Sequence, residues 1–253
     1  MVNTLEIINI SKAYKSRTVF KDGTAVHALS NVSLIFTPGF YGVLGPNGAG
    51  KSTLMNIIVG NLKQDEGLVL WNGQDIRRMG KKYRKILAYV PQQQTLYDNY
   101  TGRRFLYYIA ALKGVPNTEV EARAEKAASV VSLSNELEKR LSAYSGGMKQ
   151  RLLVAAALLD DPQLIIMDEP MAGMDPKERV QLRDFLKDIA KDSMVIVSSH
   201  VVSDIERPSD KMLILKKGHL IGFAPPEELI AEYHSTDGME GVYMTLFGNE
   251  ETT

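Results

Sequence analysis

The feature that most constrains this sequence is the run GPNGAGKST at residues 45–53, which directly follows the apolar segment FYGVL. The run fits the pattern GxxxxGK[ST] without a mismatch, and that pattern requires a strand before it and a helix after it. A glycine turn that merely caps a helix does not need a lysine and a hydroxyl at these offsets. We therefore predict a strand over 40–44, a helix over 52–60 and a phosphate-binding loop between them.

Each residue type in this loop has a chemical reason to be there. Glycines 45, 48 and 50 let backbone N–H groups wrap around phosphate oxygens. Lys51 reaches the terminal phosphates of a nucleotide, and the hydroxyl of Ser52 is a ligand for Mg²⁺. The candidate nucleotide-binding loop consists of Gly45, Pro46, Asn47, Gly48, Ala49, Gly50, Lys51, Ser52 and Thr53.

A second glycine-rich run, SAYSGGMKQR at 142–151, has the composition of another anion site. Its serine and two glycines lead into a helix, so that a hydroxyl, free N–H groups and the positive end of the helix dipole come together. One nucleotide does not need two complete phosphate-binding sites from one domain. We therefore predict that Ser145, Gly146 and Gly147 bind a nucleotide held by another copy or by a related subunit.

Two acids and a histidine follow apolar strands. In LIIMDEP (164–170), Asp168 stands at the strand tip, where it would hold Mg²⁺ through water, and Glu169 would face the attacking water. A polar loop or a helix cap is the alternative for this pair. His200 ends the segment MVIVSSH and could donate a charge-assisted hydrogen bond to a γ-phosphate.

Three further positions are candidates with an open alternative. The amide of Gln92 could coordinate Mg²⁺, although the repeat QQQ at 92–94 leaves the register open by one residue. Tyr14 could stack on a purine ring, with Phe20 as its competitor. Asp175 precedes a proline and a helical pattern, where an N-cap and a contact with a second domain are compatible.

Apolar segments alternate with helical patterns along most of the chain, which predicts an α/β fold with ligand loops at the carboxyl ends of parallel strands. Strands are predicted over 5–10, 31–36, 40–44, 86–90, 164–167 and 194–199, with a hairpin over 212–223 that turns at Gly218. Helices are predicted over 52–60, 101–113, 118–132, 177–191 and 226–233. Between Val90 and Ser145 the patterns are helical only, which indicates a helical subdomain.

Composition limits the classes of function. Lysine plus arginine (30) equals aspartate plus glutamate (30), so general affinity for nucleic acid is not supported, although local patches remain possible. The absence of cysteine excludes disulfides and thiolate metal sites. The N-terminus has no signal-peptide core, and the longest apolar run is far too short to span a bilayer. We expect a cytoplasmic protein whose membrane role depends on a partner.

Six motifs in this order resemble those of ABC transporter ATPase subunits: SKAY, GPNGAGKST, VPQ, YSGGMKQR, LIIMDEP…AGMD and SSH. The resemblance covers nearly the whole chain. It implies a P-loop NTPase (RecA-like) core sheet with an antiparallel β subdomain and an inserted α-helical subdomain. It also implies a single domain over 1–253, with a core at about 1–91 and 152–223, the helical subdomain at about 92–151 and a tail at 224–253.

The resemblance also implies a role for each matching residue. ATP and Mg²⁺ are the implied ligands, Tyr14 stacks on adenine, and Gln92 is the Q-loop residue. Ser145, Gly146 and Gly147 form a signature that closes over ATP on the opposite subunit of a head-to-tail dimer. The remaining roles are the metal-binding acid Asp168, the catalytic base Glu169, the D-loop acid Asp175 and the switch histidine His200. The helical subdomain is implied to dock on a membrane permease.

The segments SGGMKQR, SSHVVSDIE and GVYMTLFG are similar to ATPases of drug, lantibiotic and bacteriocin exporters. Met171 stands where threonine usually follows DEP, and Arg104 stands where this branch often has glutamate. The charge reversal suggests a complementary acid on the permease. Three alternatives remain: a soluble ABC ATPase without a permease, the ATPase of an importer, and a domain that hydrolyses ATP poorly. The sequence does not choose the cargo, nor a homodimer over a heterodimer.

Overall fold

Apolar runs such as LIIMD and MVIVS are buried along their whole length, because they lie at the centre of a sheet that is covered on both faces. The computed structural model describes residues 2–15, 25–92 and 96–248. Its strands are β1 (Leu5–Lys15), β2 (Ala25–Phe36), β3 (Gly39–Leu44), β4 (Glu66–Trp71), β5 (Gln74–Asp75), β6 (Leu87–Val90), β7 (Leu164–Asp168), β8 (Met194–Ser198), β9 (Lys211–Lys216) and β10 (His219–Ala224). Its α-helices are α1 (Lys51–Ile58), α2 (Ile76–Met79), α3 (Lys81–Ile86), α4 (Gly102–Lys113), α5 (Val120–Val130), α6 (Gly146–Ala157), α7 (Pro176–Ile189), α8 (Val202–Glu206), α9 (Pro226–Glu232) and α10 (Gly238–Phe247).

The larger sheet has the strand order β10-β9-β3-β8-β7-β6. Strands β9, β3, β8, β7 and β6 run parallel, and β10 returns antiparallel to β9 through a turn at Gly218. Parallel strands present their carboxyl ends at one edge, so the loops that follow β3, β7 and β8 meet there. Those three loops begin at Gly45, Glu169 and Ser199, which places the predicted phosphate loop beside the predicted acids and histidine. The predicted α/β fold is confirmed.

The smaller sheet is antiparallel, with the order β2-β1-β4-β5, as the predicted β subdomain requires. Its first two strands are longer than the predicted segments 5–10 and 31–36. No element was predicted over 66–75, yet β4 and β5 form a hairpin there. The hairpin turns at Asn72 and Gly73, whose φ angles of 49° and 75° suit the mirror-image turn that Asn-Gly favours.

The part of the chain between β6 and β7 is helical in its described residues, 91–92 and 96–163, as predicted. Helix α4 begins at the cap Thr101, whose side chain accepts a hydrogen bond from the N–H of Arg104, and it ends at Gly114 with a φ of 76°. Helices α4 and α5 both pack against α6. The predicted limit of the helical subdomain at 151/152 falls inside α6, which is one continuous helix.

The predicted tail after residue 223 folds onto the core. Met239 and Phe247 of α10 and Leu229 of α9 are at most 1% exposed. The ammonium of Lys216 in β9 donates a hydrogen bond to the carbonyl of Leu246 (2.6 Å), which ties α10 to the larger sheet. Within the described residues, no helix combines the length and the apolar character needed to span a bilayer.

Candidate functional site

Other segments of the chain pack closely against the loop between β3 and α1. Gly50 has a φ of 106°, and a Cβ at this position would lie 2.4 Å from the carbonyl oxygen of Ala28. At Gly45, a Cβ would lie 2.4 Å from the carbonyl oxygen of Leu215. Only glycine fits both positions, because each combines a left-handed backbone with backbone contact. The backbone amides of the loop are therefore held in place before any ligand binds.

Lys51 lies at the start of α1 with its side chain turned back over the loop. Its ammonium donates hydrogen bonds to the carbonyls of Gly45 (2.5 Å) and Pro46 (3.1 Å). Burial lowers the pKa of Lys51, and the nearby Asp168 and Glu169 oppose that effect. A partly desolvated ammonium gains from an anion beside it, so this position suits a phosphate group.

Asp168 at the end of β7 is 6% exposed, and both of its carboxylate oxygens are held. The hydroxyl of Ser52 donates to Oδ2 (2.9 Å), and the hydroxyl of Ser198 donates to Oδ1. A hydroxyl and a carboxylate at hydrogen-bond distance form an oxygen pair that suits Mg²⁺, which takes few protein ligands together with phosphates. These residues therefore fit the metal that the sequence predicts.

Glu169 has a φ of 52°, an unusual conformation for a residue with a side chain. Strand β8 holds it there, because its N–H donates to the carbonyl (3.2 Å) and the hydroxyl (3.1 Å) of Ser198. Oε2 of Glu169 lies 2.7 Å from Nδ1 of His200, so the predicted base and the predicted histidine are in contact. No role was predicted for Ser198, although it is the first residue of the motif SSH; its pairing with Asp168 across β7 and β8 gives it the role.

The predicted residues Tyr14, Gln92, Asp168 and Glu169 meet the phosphate loop in one cavity of about 310 Å³. The hydroxyl of Tyr14 lies 3.5 Å from Oγ1 of Thr53 at its edge. The full lining is Tyr14, Val26, His27, Ala28, Pro46, Asn47, Gly48, Ala49, Gly50, Lys51, Ser52, Thr53, Gln92, Asp168 and Glu169. His27 was not predicted to belong to the site, because nothing in its local sequence marks it. The competitor Phe20 lies outside the described residues.

The predicted residues of the second glycine-rich run do not line this cavity. The side chain of Ser145 caps α6 by accepting a hydrogen bond from the N–H of Met148 (3.2 Å). A Cβ on Gly147 would lie 2.5 Å from the carbonyl oxygen of Gly173, whereas a Cβ on Gly146 would meet nothing within 4 Å. Packing within the chain thus requires glycine at position 147, whereas Gly146 faces open space.

The cations of this run are neutralised by acids of the same chain. Lys149 pairs with Asp98 (3.0 Å), and Arg151 pairs with Glu178 (2.5 Å). The capacity of the run to bind an anion therefore rests on the first N–H groups of α6 and the hydroxyl of Ser145.

Asp175 caps α7 in the way that its sequence position predicts. Its Oδ1 accepts from the N–H of Glu178 (2.9 Å), and the side chain of Glu178 accepts from the N–H of Asp175 (3.2 Å). Pro176 follows at the first helical position. Asp175 is exposed and does not line the cavity, and any contact with a second domain would add to the cap.

The chain matches the sequence model of the ABC transporter family over residues 29–172. It is 37% identical over 215 residues to ABC transporter A family member 1 of Dictyostelium discoideum, a match that covers 85% of this chain and 24% of that protein. It is 32% identical over 227 residues to the linearmycin resistance ATP-binding protein of Bacillus subtilis, with 89% of this chain and 70% of that protein covered. This chain thus spans about a quarter of the first relative and most of the second.

Two solved structures share the fold. An ATP-binding subunit of an ABC transporter superposes with a TM-score of 0.83 at 26% identity, covering 96% of this chain and 98% of that one. An ATP-binding cassette in a dimeric post-hydrolysis state with ADP and phosphate superposes with a TM-score of 0.77 at 25% identity, covering 87% and 98%.

Proposed function

This chain belongs to the ABC transporter family of ATP-hydrolysing domains, and we propose that it powers an exporter through a head-to-tail dimer that closes on two ATP molecules. One observation carries the proposal. The phosphate loop, Asp168 and Glu169 share one cavity, whereas Ser145, Gly146 and Gly147 lie outside it and Gly146 faces open space. A chain that separates its two anion sites in this way suits a dimer in which each signature closes over the nucleotide of its partner.

Within each composite site, the chain's own residues divide the work. Tyr14 stacks on adenine, and Lys51 and the loop amides bind the phosphates. Ser52, Asp168 and Gln92 would hold Mg²⁺, which neutralises phosphate charge when it is bound. Glu169 accepts the proton of the attacking water, and the Glu169–His200 contact (2.7 Å) orients both side chains.

The exporter assignment takes support from the linearmycin resistance relative, and association with a permease takes support from an exposed aromatic surface on the helical subdomain. There Tyr97, Tyr100 and Tyr108 form a cluster of edge-on and tilted rings. The guanidinium of Arg104 lies 4.4 Å from the centroid of Tyr100 and pairs with no carboxylate in residues 2–15, 25–92 and 96–248. We assign this surface to a permease that supplies the acid, with the ATPase bound at the cytoplasmic face of the membrane.

We retain the organisation as one domain, with the helical subdomain inserted between the two parts of the core. The helical layer formed by α4, α5 and α6 is joined to the rest of the chain through β6 and β7. This placement lets the permease-facing helices and the ATP cavity belong to one folding unit.

Mixing two inactive variants tests the composite site. Lys51→Ala removes the phosphate-loop cation, and Gly146→Asp puts a carboxylate into the open space that we assign to the partner's nucleotide. Each variant alone should lose hydrolysis and ATP-dependent dimer formation. A mixture should regain roughly a quarter of wild-type hydrolysis, because half of the dimers then contain one intact composite site.

The matched control mixes Lys51→Ala with Glu169→Gln, two changes on the same side of the composite site, so that no mixed dimer contains an intact one. This mixture should stay inactive. A Lys51→Ala and Gly146→Asp mixture that recovers neither hydrolysis nor dimer formation would contradict the proposal. Thermal unfolding of Gly146→Asp should match wild type, because a side chain at this position meets no neighbour within the chain.

A further inference from the structure

The segment over α2 and α3 concentrates positive charge on one surface. Its sequence RRMGKKYRK contains no acid, although the whole chain has as many acids as bases. We name the six basic residues together the α2–α3 patch. They are Arg77, Arg78, Lys81, Lys82, Arg84 and Lys85, and all six are exposed.

The charge of the α2–α3 patch is not neutralised by the chain. In the ranges 2–15, 25–92 and 96–248, none of the six residues forms an ion pair; Arg77 donates a hydrogen bond to the neutral Oε1 of Gln64 (2.6 Å). Elsewhere, Arg103 is held by two acids, Glu125 and Glu138. Six like charges without counter-charges form a surface that gains free energy when a polyanion binds.

The backbone of the α2–α3 patch is fixed to the core. Tyr83 is 3% exposed, its hydroxyl donates to the carbonyl of Ile58 (2.8 Å), and its ring packs edge-on against Trp71. The side chain of Asp75 caps α2 by accepting from the N–H of Arg77 (2.9 Å). The cations therefore project from a rigid face.

A cavity of about 390 Å³ lies in this surface, where the β4–β5 turn meets α2. Arg78 and Lys82 bring two cations to its wall, one on each side of Gly80. Its full lining is Gly73, Gln74, Asp75, Arg78, Met79 and Lys82. The carboxylate of Asp75 faces it as well, with Oδ1 engaged by the helix cap. A space of this size, lined by two cations and one acid, has an excess of positive charge and suits a phosphate-bearing headgroup.

We propose that the α2–α3 patch binds the headgroup phosphates of an anionic phospholipid bilayer. Clusters of four to eight lysines and arginines at a membrane surface have this property, and their alkyl stems rest against the apolar boundary. Helix α3 leads into β6, the edge strand of the larger sheet, and then to Gln92. A permease bound beside Gln92 holds that edge next to the bilayer; this step alone rests on the proposed function.

A lipid surface accounts for the α2–α3 patch better than a nucleic acid does. The patch spans nine residues on two short helices, and the rest of the chain has 24 lysines and arginines (30 − 6) against 30 acids. A duplex would require contacts along a longer stretch of basic surface. A bilayer needs only one cationic face at one edge of the protein.

The test uses the purified full chain without nucleotide or permease. At low salt, it should co-sediment with vesicles of phosphatidylcholine and phosphatidylglycerol, and not with vesicles of phosphatidylcholine alone. The double variant Arg78→Gln/Lys82→Gln should lower the partition coefficient about 25-fold, since each basic residue at an anionic surface contributes about fivefold. High salt should abolish binding of the wild type.

The control variant Lys126→Gln/Arg207→Gln removes one lysine and one arginine at exposed positions elsewhere, and it should bind as the wild type does. Equal loss in both double variants, or equal binding to neutral vesicles, would overturn the proposal. A duplex DNA that binds more tightly than the anionic vesicles and is lost in the Arg78/Lys82 variant would reassign the patch to nucleic acid. ATP hydrolysis by the same preparations reports separately on the proposed function.

Discussion

In the first glycine-rich run, Gly45 and Gly50 lie against carbonyls of their own chain, whereas in the second run Gly146 faces open space. The cation of the first run, Lys51, lies over its loop and is partly buried beside two acids. The cations of the second run are already paired with Asp98 and Glu178. Two runs of similar composition thus differ in what the chain leaves available to a ligand.

The difference indicates that the first run is a site built within one chain and the second run is a half-site. A half-site needs its own backbone fixed but leaves its outer face free. Gly147 meets the first requirement through its contact with Gly173, and Gly146 meets the second. Four experiments with substituted chains test this comparison, and they are ordered by the size of the expected effect.

Glu169→Gln should lower ATP hydrolysis by roughly 10²–10⁴-fold, the usual contribution of a positioned base. ATP binding should persist, because the loop amides and Lys51 are unchanged, and the ATP-bound dimer should accumulate. Turnover and equilibrium binding of a fluorescent ATP analogue, measured on one preparation, test both parts. Near-normal turnover would show that Glu169 is not the catalytic base at the site formed by the first run.

Gly50→Ala should destabilise the isolated chain by about 3 kcal/mol, because it adds left-handed strain to an overlap with the carbonyl of Ala28. Gly48→Ala is the matched control, since it has a φ of 80° but no neighbour within 4 Å, and should cost only about 1 kcal/mol. Urea denaturation measures both. Equal costs would show that the first run is not enclosed by its own chain.

Gly147→Ala should destabilise the chain by about 1–3 kcal/mol, because its Cβ would overlap the carbonyl of Gly173. Gly146→Ala should change stability by less than about 0.5 kcal/mol, since the space around it is open. Both should weaken ATP-dependent dimer formation, which size-exclusion chromatography detects. A Gly146→Ala chain that dimerises normally would break the assignment of that face to a partner.

Asp175→Ala should cost about 1 kcal/mol through loss of the capping box of α7. Asp175→Asn is the control, because asparagine retains the cap and removes the charge. If Asp175 serves only as a cap, dimer formation should weaken in Asp175→Ala, which loses stability, and should be unchanged in Asp175→Asn, which does not. A dimer weakened by asparagine at unchanged stability, measured by thermal unfolding and light scattering, would place a charge contact at the second domain.

The sequence predicted those features that local motifs determine. GPNGAGKST requires its strand and helix, and the structure has both within a residue or two of the predicted limits. The apolar runs that end at Asp168 and Ser199 predicted parallel strands, whose carboxyl ends necessarily meet. The helices α4 and α5 were likewise predicted, over 101–113 and 118–132, and the structure has them at Gly102–Lys113 and Val120–Val130.

What the sequence did not indicate depends on contacts between distant segments. His27 lines the cavity because β2 passes beside the loop before α1. No motif or residue spacing around His27 in the sequence indicates this position. Ser198 supports Asp168 through the pairing of β7 with β8. The β4–β5 hairpin is a different case, since Asn72 and Gly73 are a strong local turn signal from which a hairpin could have been predicted.

The contact between Gly147 and Gly173 joins two backbones with no side chain between them. The first turn of α6 therefore cannot move without displacing the loop that connects β7 to α7. A rotation of the helical layer would shift that loop, which carries Asp175. This contact also restricts recombination within the family. A chimaera that takes its helical layer from a relative must take the matching loop as well. The contact is made by backbone on both sides, so no side chain can rearrange to accommodate a different loop.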